Sequence, residues 1–387
     1  MSPDVVERRD GAACLRDIAP ALLERWMRDY YFDTDIDLGS SGVFSFSLRE
    51  VQEMCGPSAE EMAAVVFDDS RTQGAEGLRG AIARRLGDGD AGAVMATHGS
   101  SEAIHLVMNA LLSPGDEVVV LEPVYQQLSA IAGHLGCRLK KWVLPASRHF
   151  APSLDDLAAV LTPRTRMVVV NFPHNPCGVA LTAAQQHELL TMVSRVGSYL
   201  VWDGAFAELT YTGEPPVRHG DYYERVVTLG TLSKAYGLPG LRVGWLAAPP
   251  EVIAACLHLR DYLTLHLSPL VELIAQRAVE NADRLLSVRL PQVRRNLDCL
   301  REWAAGHEEW VEFVAPQGGV STFPRLRAVG DSQEFCRRLA ATHKVLLVPG
   351  TCFGHAQHVR LGFGGSPELF PEGLRRLSEM LAREAGR

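Results

Sequence analysis

The residues best able to do chemistry stand close together in Thr231-Leu-Ser233-Lys234-Ala-Tyr-Gly-Leu-Pro-Gly-Leu-Arg242-Val-Gly-Trp245. A lysine in a loop is ordinarily a solvated surface group. This one sits among small residues, with an arginine eight positions on. A lysine becomes a carbonyl-trapping nucleophile when its surroundings depress its pKa, and it must then lie beside a site that anchors the carbonyl partner. Thr231, Ser233 and Arg242 offer two hydroxyls and a planar, permanently charged fork, a set suited to phosphate. With Lys234 they describe a phosphate-tethered aldehyde held over an amine.

Other segments carry candidates of the same kind. In Thr97-His-Gly99-Ser100-Ser101-Glu102 a glycine lets the backbone approach an anion, and the unpaired amides of a helix start attract phosphate. Taken alone, that segment reads more readily as an ordinary serine N-cap. Asp203 follows an apolar run, where an acid is costly unless paired; Glu208 is the competing acid nearby. Asn175, in Asn171-Phe-Pro-His-Asn175-Pro-Cys177-Gly178, reads by itself as a turn former. Tyr125 and Arg360 stand alone in Glu122-Pro-Val-Tyr125 and His358-Val-Arg360-Leu-Gly362, where the bland readings are a core aromatic and a surface cation.

The elements that must position these residues follow an α/β pattern. From about Glu60 to Trp245, short apolar runs alternate with amphipathic stretches, as in helices flanking a mostly parallel sheet. Glu117–Leu121, Met167–Asn171, Tyr199–Trp202 and Val226–Leu229 are continuous apolar or β-branched runs, which predicts strands buried on both faces. Helices are expected over Glu102–Leu112 and Ala183–Val196. After about Val271 a long helical stretch leads to Trp310–Val314, a Gly318-Gly319 break, Val345–Val348 and His358–Phe363, the texture of a smaller α+β domain. The expected division is a large domain over residues 61–270 and a small one from residues 1–60 with 271–387.

At 387 residues the chain suits two intimately packed domains. A formal net charge of −8 argues against a nucleic-acid partner. The eight cysteines are scattered, with no Cys-x-x-Cys pair and no zinc-like His cluster, so no metal site is expected and a reducing cytoplasm is. Met1–Glu24 is broken by charges and lacks the apolar core of a signal peptide, and no apolar run is long enough to cross a bilayer. No internal repeat or low-complexity linker is present.

Taken in order, these motifs resemble the class I/II aminotransferases, fold type I enzymes of pyridoxal 5'-phosphate (PLP). The resemblance covers roughly Val43 to Gly364. It implies a Schiff base of PLP on Lys234 and a phosphate site from Gly99, Ser100, Ser101, Thr231, Ser233 and Arg242. It further implies ring stacking by Tyr125, a hydrogen bond from Asn175 to the phenolic oxygen, and a pairing of Asp203 with the pyridine nitrogen. Arg360 would grip the substrate α-carboxylate, with Asn175 and Gly42 beside it. Glu208 matches a position that is usually structural. A homodimer with sites at the subunit interface is expected.

The chain also departs from the pattern. Phe206 stands where the family usually has a tyrosine that donates to the cofactor, Cys177 where threonine is usual, and Asp68-Asp69-Ser70 where a tyrosine reaches the neighbouring subunit. The segment Asp33-Thr-Asp35-Ile-Asp37-Leu-Gly-Ser-Ser41-Gly42-Val43 replaces the usual opening strand with an acidic, serine-rich one. This texture resembles capreomycidine-synthase-like cyclases. That resemblance implies a lyase or cyclase that eliminates a β-hydroxyl from a hydroxylated arginine and closes the guanidine onto the carbon chain. Acids among Asp33, Asp35, Asp37, Asp68 and Asp69 would then receive the guanidine. A conventional amino acid aminotransferase is the alternative, and a catalytically silent binding protein conflicts with the presence of Lys234.

Overall fold

The computed structural model describes residues 18–87, 89–211 and 219–386. The readings on Cys14 and on most of the charge-broken N-terminal stretch lie outside these residues. The centre is a seven-stranded sheet of β1 (Val94–Thr97), β2 (Glu117–Glu122), β3 (Arg138–Val143), β4 (Thr165–Asn171), β5 (Tyr199–Asp203), β6 (Val226–Thr231) and β7 (Gly244–Ala247). The strand order is β1-β7-β6-β5-β4-β2-β3. β7 runs antiparallel to both neighbours and every other pairing between neighbours is parallel. This is the mostly parallel sheet, flanked by helices, that the apolar runs predict.

Alternation along the strands explains why those runs are continuous. Val119, Leu121, Val168, Val170, Leu200 and Trp202 join the core on one face of the sheet. Val118, Val120, Met167, Val169, Val201 and Val227 join a second core on the other. Both faces are covered, so no position along these strands has solvent to favour a polar residue. The edge strand β3 is the exception: Lys140 and Lys141 point to Glu117 and Glu122 at 3.1 and 2.7 Å. Its sequence, Arg-Leu-Lys-Lys-Trp-Val, therefore carries no apolar run.

The expected helices form over Gly99–Leu111 and Ala183–Val196. The second is fixed at its start by a capping box of Thr182 and Gln185, and ends at Gly197 in the left-handed conformation. The helical stretch after Val271 consists of two helices, Pro269–Glu280 and Ala282–Ala305, meeting at Asn281. Beyond them lies a three-stranded antiparallel sheet of Ser321–Thr322, Val359–Gly362 and Val348–Pro349. The run Val345–Val348 is split: Val345–Leu346 pairs in parallel with Ile36–Asp37, so the N-terminal segment is stitched to the C-terminal part. One apolar core runs from Leu23 and Trp26 through the sheet face to Leu377 and Leu381.

Candidate active site

Thr97, Glu122, Asn171, Asp203 and Thr231 end β1, β2, β4, β5 and β6 at one edge of the sheet, and Asn171, Asp203 and Thr231 line one opening there. Open α/β sheets bind ligands at this edge. A cavity of about 1310 Å³ lies there, lined by Ser100, Ser101, Tyr125, Asn175, Asp203, Phe206, Thr231, Ser233, Lys234, Arg242 and Arg360 among others. Residues separated by more than 250 positions in the chain are thereby brought to one site.

One end is built for an anion. Gly99 has φ +74°, and a Cβ there would stand 2.6 Å from Arg242 Nη2. A Cβ on Gly244 would meet the Ser100 amide nitrogen at 2.4 Å. Gly99 is thus held to glycine by its positive φ, and Gly244 by close backbone approach. No side chain caps the helix that starts at Gly99, so its first amides remain available beside the guanidinium. Arg242 itself holds φ 54°, and its Nη1 donates to the Pro239 carbonyl at 3.2 Å and to Ser233 Oγ at 3.4 Å. Thr231 Oγ1 lies 3.0 Å from Ser233 Oγ and accepts from the Ser233 amide.

At the other end Asp203 is only 5% exposed, and no cation pairs with it among the described residues. Burial pushes its pKa from 3.8 up to about 6; the Ala205 amide, 3.0 Å from Oδ1, and the charge of Lys234 pull the other way. An acid so placed suits a protonated ring nitrogen. Between these ends Lys234 Nζ donates to Ser41 Oγ at 3.1 Å. Burial, then the charge of Arg360, lowers the Lys234 pKa from 10.5 to about 8, against the charges of Glu24 and Asp203. A phosphate, an amine-trapping carbonyl and a protonated pyridine nitrogen each find a complementary group, so the residues present fit PLP.

Arg360 is 2% exposed and forms no ion pair with a carboxylate among the described residues. Its Nε and Nη2 donate to the Gly39 carbonyl at 3.0 and 2.8 Å, and Nη1 donates to Asn175 Oδ1 at 3.2 Å. Burial lowers its pKa to about 10, with Asp37 opposing. A buried cation held by neutral acceptors suits an incoming carboxylate. Asn175 is itself fixed through its amide, which donates to Asn171 Oδ1, while Asn171 Nδ2 donates to the Asp203 carbonyl. With its carbonyl end turned to Arg360, Asn175 keeps its Nδ2 hydrogens for the cavity.

Gly42 packs against the lysine loop: a Cβ there would stand 3.1 Å from the Ser233 carbonyl, and the Val43 amide donates to the Lys234 carbonyl. Phe206 is buried and brings no hydroxyl. Cys177 is buried in the turn, which raises its pKa well above 9.0. Glu208 instead pairs with Arg85 at 2.8 Å and accepts from the Tyr236 hydroxyl, away from the cavity lining.

The five acids proposed for a guanidine separate. Asp35 and Asp37 line the cavity; Asp33, Asp68 and Asp69 are not among the residues lining it in this chain. Asp37 Oδ1 accepts from the Gly39 and Ser40 amides, both at 2.8 Å, and so shapes the turn beside Arg360. Asp35 is largely exposed, 4.0 Å from Arg376. Asp69 pairs with His266 at 3.1 Å. Among the cavity groups not singled out in the sequence are Ser41, Asn171 and Glu24. Of these, only Asn171 had a local signal, lying within the same turn motif as Asn175. Glu24 reaches the cavity from the helix Leu22–Tyr30 and accepts from the Tyr125 hydroxyl at 2.8 Å.

The profile of aminotransferase class I and II matches residues 66–377. The chain belongs to that family. Among curated relatives it is 45% identical to capreomycidine synthase of Streptomyces vinaceus over 94% of each chain. It is 32% identical to arginine–pyruvate transaminase AruH of Pseudomonas aeruginosa, over 81% of this chain and 82% of that one. Among solved structures, the PLP-dependent cyclase OrfR superposes with a TM-score of 0.89 at 44% identity, covering 95% of this chain and 98% of that one.

Proposed function

We propose that this family member is a PLP-dependent lyase or cyclase that removes a β-hydroxyl from a hydroxylated arginine and closes the guanidine into a ring, as a step in capreomycidine- or streptolidine-type antibiotic biosynthesis. The observation that carries this reading is similarity at 45% identity over 94% of both chains to a capreomycidine synthase. A cyclase is also the likeness among solved structures at 44% identity. The conventional aminotransferase is the second reading, favoured by the 32% identity to an arginine–pyruvate transaminase.

Arg242, Thr231, Ser233 and the amides at Gly99, Ser100 and Ser101 would hold the phosphate. Asp203 would hold the ring nitrogen, Asn175 Nδ2 the phenolic oxygen, Tyr125 and Phe206 the ring, and Lys234 the aldehyde. When bound, PLP supplies the carbonyl that takes up an amino group and a sink for charge on the α-carbon. Arg360 binds the substrate α-carboxylate through a bidentate pair. Lys234 Nζ, its charged form disfavoured by burial, accepts the α-proton and holds it. Asp203 and Phe206 form a buried floor beneath it.

Residues 61–270 form the cofactor-holding domain in this reading, and residues 1–60 with 271–387 the small domain. The protein works as a homodimer. Val66, Phe67, Tyr262, Leu263 and Leu265 are exposed, and the two segments adjoin through Asp69 and His266, an apolar surface suited to a second copy. The described cysteines are free thiols, in keeping with a cytoplasmic enzyme.

Incubation of the PLP-loaded enzyme with 3-hydroxyarginine, arginine and keto acids, followed by mass analysis, tests the reading. The expected product is cyclic, one water lighter than the hydroxylated substrate, with keto acid unconsumed. Amino-group transfer to the keto acid, with pyridoxamine phosphate formed on the enzyme, would favour the aminotransferase instead.

A further inference from the structure

The cavity has two unlike walls. The sheet side carries Lys234, Asp203 and the phosphate ligands, and the helix Leu22–Tyr30 forms the facing wall through Leu23, Glu24, Met27 and Arg28. That helix is anchored on both sides. Trp26 Nε1 donates to the Leu347 carbonyl at 2.8 Å, and Gln126 clasps its start by accepting from the Leu22 amide and donating to the Pro20 carbonyl. Leu23 and Trp26 are buried in the main core. The direction in which Glu24 faces is therefore fixed by packing.

The acids around the cavity are not equivalent. Asp203 lies at the floor, Asp37 is taken up by two backbone amides, and Asp35, exposed like Glu24, sits 4.0 Å from Arg376. Glu24 has one oxygen oriented by the Tyr125 hydroxyl and no other hydrogen bond or ion pair among the described residues. Its negative charge is felt at both Lys234 and Arg360. Arg28, one turn further along the helix, gives this wall a cation, so its acidic part is confined to Glu24.

A guanidine that closes onto its own β-carbon must curl back toward the reacting centre. Its receptor must then stand near the groups that hold the α-amine and α-carboxylate. We infer that Glu24, held by Tyr125, is the carboxylate that receives the guanidinium of the substrate and determines specificity for a cationic side chain. The inference rests on the guanidine-bearing substrate proposed above. The free carboxylate oxygen and the unshared charge meet a planar cation with parallel N–H donors, the geometry in which such pairs are strongest.

Calorimetric titration of the PLP-loaded enzyme with arginine and with norvaline, which shares the α-end but lacks the guanidine, separates the two ideas. The parent enzyme is expected to bind arginine at least about 10-fold more tightly, a difference of about 1.4 kcal/mol. Glu24→Gln is expected to bring the ratio close to one, with norvaline affinity and the visible absorbance of the bound cofactor unchanged. Glu24→Asp keeps part of the preference and serves as the conservative control. Retention of the parental ratio in Glu24→Gln, or an equal loss for both ligands, overturns the assignment of Glu24 alone. A parent enzyme with no preference for arginine overturns the guanidine-bearing substrate as well.

Discussion

Asp203→Asn separates what the buried acid costs from what it does. Burial raises its pKa from 3.8 to about 6, and about two units correspond to roughly 3 kcal/mol against the ionised form. Below pH 3.8 the carboxyl is neutral in both folded and unfolded chains, and nothing is lost. As the pH rises toward about 6 the unfolded chain sheds its proton while the folded chain keeps it, so stability falls. Above about 6 the full cost is present. The variant lacks this titration. Without cofactor it should match the parent near pH 4 and exceed it by roughly 3 kcal/mol near pH 7.5. Unfolding entropies of about 2 cal/mol/K per residue convert this to roughly 4 °C in Tm for a chain of this length. With saturating cofactor this advantage shrinks toward zero. Loss of a charge-assisted hydrogen bond of about 1.5–3 kcal/mol weakens retention roughly 10- to 150-fold. Thermal scans of both forms across this pH range, with PLP titrations, check both halves. A cofactor-free variant no more stable than the parent at pH 7.5 would refute the claim that burial dominates at Asp203.

Lys234→Ala should abolish the visible absorbance that borohydride otherwise fixes on this residue; peptide mapping that finds the label on another lysine contradicts the assignment. In the cofactor-free parent, acylation of Lys234 should follow a midpoint near pH 8 rather than 10.5, because its charged form is disfavoured by burial. Gly244→Ala drives a methyl to 2.4 Å from the Ser100 amide, and should weaken phosphate retention by about 10-fold or more, within the usual cost of overpacking; an unchanged PLP dissociation constant would show that the loop gives way freely. Arg360→Lys removes the bidentate fork and should raise the KM for amino acids by about 10-fold or more. Binding of agmatine, which has no carboxylate, should be spared, and calorimetry of both ligands distinguishes this from general damage.

Much of the fold was legible because burial on both faces leaves an unmistakable trace. Met167–Asn171 and Tyr199–Trp202 are apolar at every strand position that packs, and their polar termini, Asn171 and Asp203, mark where the sheet meets the cavity. β3 was not legible for the opposite reason, since an edge strand can satisfy its lysines with Glu117 and Glu122. The motif residues around Lys234 were readable because the backbone restricts residue type locally, through positive φ at Gly99 and close approach at Gly244. Glu24 had no such trace. A charged residue on a short amphipathic helix faces solvent or a cavity according to how Trp26 and Gln126 dock that helix, and those contacts span 321 and 104 positions. Of the acidic run, Asp35 and Asp37 line the cavity and Asp33 does not, and the sequence held no sign that Asp37 braces a turn.

The helix Leu22–Tyr30 lies wholly before residue 66, where the family-wide match begins. The shared block therefore contains Asp203, Lys234, Arg242 and Arg360, while one wall of the cavity belongs to a segment outside it. Exchange of this short segment between relatives could redirect substrate choice without disturbing a single cofactor ligand. Two chains with the same lysine, aspartate and arginine motifs can accordingly differ in what they consume. Grouping such enzymes by substrate calls for comparison of their first thirty or so residues, and a chimaera carrying a transaminase's N-terminal helix on this scaffold is the direct way to find out how much of the chemistry follows the wall.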